Sequence, residues 1–152
     1  RILSFFNPND GTHNFQSDKA IDAISSGGYF GKGIGEGTLK NRVPEAHTDY
    51  IISIISEEFG VVAIVLLLSI FIFFIYTVFK KIYLEKNEKI KLVLTGVVCL
   101  IIFQALIHLG VNIRLLPTTG MTLPFLSYGG SSIVGVSILS GIILNLTKRK
   151  IN

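Results

Sequence analysis

The chain has 152 residues, 49% of them hydrophobic, with eleven Phe and five Tyr but no Trp. Its apolar residues gather into three long runs in the last two thirds, where a soluble domain would space them at a 2.0 or 3.6 period; runs of about 20 residues match a bilayer's thickness instead. The formal net charge of +4 hides an asymmetry: residues 1 to 58 carry five Lys or Arg against eight Asp or Glu, and residues 59 to 152 carry nine against two. Because the basic excess lies beside apolar runs, it speaks for membrane topology and against nucleic acid. The single cysteine, Cys99, lies inside an apolar run and reads as a small buried side chain; no Cys/His spacing suits a metal. The chain opens on Arg1 and its one methionine is Met121, so a piece of a longer protein is expected.

Residues 1 to 58 are too long for a simple connection, and long structured segments of this kind carry function. Asn7-Pro8-Asn9-Asp10-Gly11 is turn chemistry. Residues 17 to 26 predict a short amphipathic helix with Ala20, Ile21 and Ile24 on one side, closed by Gly27-Gly28. The glycines at 31, 33, 35 and 37 have neither the preceding strand nor the following helix of a dinucleotide fingerprint, so they predict a turn where backbone passes close to another surface. Lys32 within that turn is a candidate contact for an anionic headgroup. Pro44 suits the first turn of a helix. On such a helix Glu45, Asp49, Ser53 and Ser56 share one face, because i, i+4, i+8 and i+11 return near the same angle. An acid close to hydrocarbon is costly to ionise, which makes Glu45 and Asp49 candidate functional groups and raises a carboxyl toward the range of a general base. The competing reading is a solvated helix start with its acids at the positive dipole end. Glu57-Glu58 reads as a solvated interface pair, and His47 as a hydrogen-bonded group or a proton carrier.

Residues 59–79 hold no charge and predict the first spanning helix. Residues 80–91 carry five Lys, residues 92–111 form the second span, and residues 112–126 break the helix with Pro117, Gly120 and Pro124. Residues 127–147 form the third span, and residues 148–152 a basic tail. The positive-inside rule places the 80–91 segment and the tail in the cytoplasm, and residues 1–58 and 112–126 outside. His108 and Gln104, one turn apart in the second span, are expected to hydrogen-bond to a neighbouring helix. Tyr128 is placed as an interfacial anchor, and the Ser/Gly pairs 131/135 and 137/141 suit close helix packing. The fold expected is an all-α polytopic membrane protein: three transmembrane helices preceded by a large structured extracytoplasmic loop.

Three stretches together resemble a known family. Residues 44–51 (PEAHTDYI) are similar to the PEAHTDFI segment of the FtsW/RodA/SpoVE peptidoglycan glycosyltransferases, and Glu57-Glu58-Phe59-Gly60 to its EE-x-G. Residues 116–125 (LPTTGMTLPF) with 127–132 (SYGGSS) resemble its LPxxGxxLPFxSYGGSS signature. Gln16-Ser17, Ala20-Ile21, Gly27-Gly28, Gly31 and Gly33 match its QSxxAI and GGxxGxG pattern. The resemblance covers nearly the whole chain in order and spacing, and the wording is closer to the division member FtsW than to RodA. Two departures stand out: Thr119 occupies a position where many division members have Lys, and Tyr50-Ile51-Ile52 replaces the usual FIF.

The resemblance implies about ten spanning helices, this chain supplying the last three. It implies an inverting glycosyltransferase of the bacterial cytoplasmic membrane, at the division septum. The reaction polymerises lipid II into β-1,4 glycan strands with release of undecaprenyl pyrophosphate. Partners would be lipid II, the growing strand, a class B penicillin-binding protein, other division proteins and membrane lipid. Asp49 matches the family's essential aspartate and is expected to act as general base. Glu45, His47, Lys32, Lys40, Arg42, Arg114 and Ser127 form the candidate substrate-binding set. The leaving pyrophosphate needs positive charge from these cations or a divalent cation held by Glu45 or Asp49. Two rivals share the topology: a lipid II transporter whose acids line a path, and a non-catalytic divisome scaffold.

Overall fold

A computed structural model describes residues 11–38 and 46–148. They form five helices: α1 (Gly11–Gly27), α2 (Ala46–Asp49), α3 (Ile51–Leu84), α4 (Glu88–Asn112) and α5 (Gly130–Thr147). No strand occurs among the described residues. Three helices, α3, α4 and α5, are long and apolar enough to cross a membrane.

α3 holds 34 residues, about 51 Å at 1.5 Å per residue, whereas a bilayer's hydrocarbon is about 30 Å thick. The surplus lies at its ends, where Glu57-Glu58 precede the uncharged stretch and Lys80-Lys81 follow it. Charged Lys and Glu are good helix formers, so α3 continues past the apolar run at each end. Only residues 85–87 separate α3 from α4. Asn87 caps α4 by accepting the Lys89 N–H at 3.0 Å, and Glu85 Oε1 accepts the Lys86 and Asn87 amides.

The short connection makes α3 and α4 an antiparallel hairpin, and α5 returns along α4. At the lysine-rich end Val78 and Ile82 of α3 pack with Leu94, Val97, Val98 and Ile101 of α4 and Ile143 of α5. Further along, Ile52, Ala105 and Leu123 form a second cluster. At the acidic end α1 lies across the hairpin, burying Ala20 and Ala23 against Tyr50, Ile54 and Val111. Many large apolar side chains on the spans remain exposed, including Leu66, Ile70, Phe73, Phe103 and Leu144. A face of that composition belongs against lipid or further helices.

α3 is interrupted at Gly60, whose φ of 78° and ψ of −176° is open only to glycine. Residues 28–33 fill the interruption. Lys32 and Gly33 donate their amides to the carbonyls of Glu57 (2.9 Å) and Glu58 (3.1 Å), which have lost their helical partners. Val61 and Val62 donate to the carbonyls of Gly28 (3.0 Å) and Tyr29 (3.4 Å). The glycine-rich turn thus caps both halves of the broken helix, satisfying groups that would otherwise be buried without partners. The sequence pattern anticipated a close backbone approach but not the break that it serves.

Candidate active site

Asp49 is 5% exposed and ends α2. The next residue, Tyr50, adopts φ −120° and ψ 28°, which stops one helix before the other begins. Tyr50 is itself 1% exposed, and its hydroxyl lies 3.4 Å from Ser17 Oγ of α1. The corner leaves main-chain groups for other elements to satisfy.

Asn112, in the last turn of α4, supplies two of them. Its Nδ2 donates to the Asp49 carbonyl at 2.9 Å, and its Oδ1 accepts from Ser53 N at 3.2 Å and Ser53 Oγ at 2.9 Å. In an unbroken helix the Ser53 amide would meet the Asp49 carbonyl directly; here a side-chain amide stands between them. His108, one turn earlier and fully buried, places Nε2 3.2 Å from the Thr48 carbonyl and Nδ1 3.3 Å from Asn112 Nδ2. Donation to the Thr48 carbonyl requires a hydrogen on Nε2. Ser127 completes the corner, donating to the Thr48 carbonyl at 2.9 Å and accepting the Leu123 amide at 2.9 Å. Three side chains from two distant stretches therefore grip the two residues that carry the corner.

The structure also places the other residues singled out by sequence. Ser53 and Ser56 lie with Asp49 among the buried polar groups. Ser56 Oγ has no hydrogen-bond partner among the described residues. Lys32 is joined to Glu57, Nζ to Oε1 at 3.2 Å, beside a polar cavity of about 290 Å³ that Lys19, Asp22 and Thr38 also line. Arg114 is ion-paired with Asp18 of α1 at the surface. Lys40, Arg42 and Glu45 lie outside the described residues, as does the side chain of His47. Among the described residues no group of three or more His, Cys, Asp or Glu converges as a metal site.

Two expectations are corrected. The helix read as running from Pro44 past Ser56 is broken at Tyr50, so Asp49 and Ser53 do not share one continuous helical face; the Asn112 side chain takes the Asp49 carbonyl and the Ser53 amide that such a helix would join. Glu57 is not a solvated interface residue: it is 1% exposed, and its Oε1 accepts from Lys32 Nζ and from Thr38 N (3.0 Å) and Oγ1 (3.1 Å). The glycine-rich turn folds over it, because that turn must reach the break at Gly60 three residues on. The predicted cross-helix role of Gln104 and His108 is met by different partners. Gln104 Nε2 donates to the Thr122 carbonyl at 2.9 Å and Ser132 Oγ at 3.2 Å. Asn112 was missed as part of the site. Its signal was its position four residues after His108, two polar groups on one face of an apolar helix.

A helical membrane protein with a buried aspartate, held in a corner beside its spans, is the class that fold and site define. The chain belongs to the FtsW/RodA/SpoVE family, whose model, described as a cell cycle protein, matches residues 1–152. It is 37% identical over 150 residues to the probable peptidoglycan glycosyltransferase FtsW of Caulobacter vibrioides, covering 99% of this chain and 38% of that one. It is 40% identical over 152 residues to that of Nitrosomonas europaea (96% and 39%), and 38% identical over 156 residues to that of Borreliella burgdorferi (100% and 43%). The chain thus spans about two-fifths of the length of these relatives. A chain in a solved structure concerning the coordination of polymerization and crosslinking by a peptidoglycan synthase complex superposes with a TM-score of 0.73. It is 28% identical, with 97% of this chain and 40% of that one covered.

Proposed function

We propose that the chain is part of a peptidoglycan glycosyltransferase that polymerises lipid II into β-1,4 glycan strands, with Asp49 as the general base. The observation that carries this reading is the burial of Asp49 in a corner gripped by His108, Asn112 and Ser127. A reactive acid needs a fixed direction and limited access to water, and both favour proton transfer. The naming of the relatives as probable peptidoglycan glycosyltransferases supports the reaction class.

In this reading Asp49 takes the proton of the acceptor sugar's 4-hydroxyl. The oxygen attacks the anomeric carbon of the donor, whose bond to undecaprenyl pyrophosphate breaks with the electron pair leaving on the phosphate oxygen. Attack from the opposite face inverts an α-linked donor to a β-linked product. Charge on the leaving group requires cations. Lys40, Arg42, Arg114 and Lys32 are the candidates in this chain, and Glu45 and His47 are candidates to orient the acceptor, whereas the Ser127 hydroxyl is committed to the Thr48 carbonyl and the Leu123 amide. A divalent cation held by Glu45 or Asp49 is the other possibility for that charge. We place the acidic end of α3 outside the cytoplasmic membrane and the lysine-rich end inside, by the charge bias of the connections. The likeness to a chain in a structure concerning coordinated polymerization and crosslinking by a peptidoglycan synthase complex supports a penicillin-binding transpeptidase as partner. A place at the division septum rests on the resemblance to the FtsW relatives.

The test is glycan synthesis from purified lipid II by the full-length protein with its partner, comparing native with Asp49→Asn and Asp49→Ala. The expected result is loss of polymer with expression and partner binding retained. Polymer at native rates would remove Asp49 as the base and bring forward a transporter or a scaffold.

A further inference from the structure

We infer that Asn112 is a positioning residue that holds the helix open at Asp49 and so sets the direction of its carboxylate. This rests on the reading of Asp49 as the reacting acid. A backbone has one economical way to pass from α2 to α3, which is to continue the helix and let Ser53 N bond directly to the Asp49 carbonyl. The side chain of Asn112 takes both of those groups, donating to one at 2.9 Å and accepting from the other at 3.2 Å. An Asn side chain is an amide with the donor and acceptor of a peptide unit, so it splices into the ladder as an extra unit. The splice separates the two helices and turns Asp49 away from where an unbroken helix would point it, since each residue of helical advance rotates a side chain by about 100°.

The insertion is built rather than incidental. Asn112 is 1% exposed and Ser53 0% exposed. The Ser53 hydroxyl adds a second donor to the same oxygen at 2.9 Å. His108 donates to the neighbouring Thr48 carbonyl while its Nδ1 faces the Asn112 amide. Asn112 Nδ2 also reaches the His108 carbonyl at 2.9 Å, which fixes which end of the side-chain amide faces Asp49. Ser127 donates to the same Thr48 carbonyl at 2.9 Å. His108, Asn112 and Ser127 act through the main chain of Thr48 and Asp49, not through the reacting atoms.

The splice predicts an unusual phenotype. Removing it leaves Ser53 N and the Asp49 carbonyl free to bond to each other, so the protein loses geometry more than stability. The experiment measures kcat and KM for lipid II polymerisation by the full-length protein with its partner, together with thermal midpoint and membrane yield. Native is compared with Asn112→Ala, Asn112→Asp, His108→Phe, His108→Gln and Asp49→Asn. Asn112→Ala is expected to keep its yield and KM and to lose kcat about 10- to 100-fold, the scale of a misplacement near 1 Å. Asn112→Asp keeps the acceptor for Ser53 but not the donor to Asp49, and is expected not to recover. His108→Gln, which restores a donor to the Thr48 carbonyl, is expected to recover most of the kcat that His108→Phe loses.

Native kcat per folded molecule in Asn112→Ala overturns the inference. So does a fall in kcat that merely tracks the loss of folded protein. If Asn112→Ala does not accumulate, Asn112→Asp decides, because it keeps the acceptor for Ser53: native kcat per folded molecule overturns the inference, and a lowered kcat with KM retained upholds it. An active Asp49→Asn sinks the reading of Asp49 as base. An inactive Asp49→Asn beside a fully active Asn112→Ala sinks only the positioning role.

Discussion

A Cβ on Gly60 would lie 2.5 Å from the main-chain nitrogen of Gly31, and one on Gly31 would lie 2.1 Å from the carbonyl of Glu58. The two glycines mark a place where two stretches of main chain touch with no room for a side chain. Gly60→Ala is expected to destabilise the protein by about 1–3 kcal/mol from its backbone conformation alone, with the collision against the Tyr29 carbonyl at 2.3 Å in addition. A drop in thermal midpoint of the detergent-solubilised full-length protein checks this. An unchanged midpoint would mean that α3 can run straight through residue 60.

Glu57 ties the same turn down through one oxygen. Glu57→Ala removes the acceptor of Lys32 Nζ, Thr38 N and Thr38 Oγ1 and is expected to cost about 1–3 kcal/mol. Glu57→Gln keeps an acceptor oxygen in place and is expected to cost less than half as much. Lys32→Ala is expected to cost under about 1 kcal/mol, because its side chain is 38% exposed and the pair is screened on that side. Thermal midpoints in the order native, Lys32→Ala, Glu57→Gln or its equal, then Glu57→Ala check the assignment. An equal loss in Lys32→Ala and Glu57→Ala would show that the ion pair matters more than the hydrogen bonds to Thr38.

Arg114 joins α1 to the end of α4 through Asp18 while adopting a φ of 60°, a conformation disfavoured for a residue with a Cβ. The surface pair is worth about 0.2–1 kcal/mol and weakens as salt rises. Arg114→Gly is expected to be nearly neutral, since relief of the left-handed backbone offsets loss of the pair. Arg114→Ala loses the pair without that relief and is expected to be less stable than Arg114→Gly. Asp18→Asn isolates the pair alone, and its deficit is expected to vanish in high salt. Equal midpoints for Arg114→Ala and Arg114→Gly would contradict the backbone argument.

From sequence alone, the three spans followed from their length and lack of charge, since hydrocarbon admits little else. The end of α1 at its glycine stop was legible because a C-terminal glycine is a local signal, whereas its start was not: the helix begins at Gly11, six residues before the expected one. Asp49 stood out because an acid beside a long apolar run is expensive to place there. What the tertiary structure decided is everything that depends on partners far along the chain. Glu57 and Glu58 read alike in sequence, yet only the fold distinguishes them, by laying residues 28–38 over Glu57. Gly60 reads as one more small residue in a helical run until the turn at residues 28–33 supplies the hydrogen bonds that make its break tolerable. Asn112 reads as the end of a span, and it gains its place only because α4 brings it to the carbonyl of Asp49 and the amide of Ser53, 63 and 59 residues away. Hydrophobic patterning is a property of neighbours in sequence, whereas the satisfaction of a buried main-chain group is a property of neighbours in space.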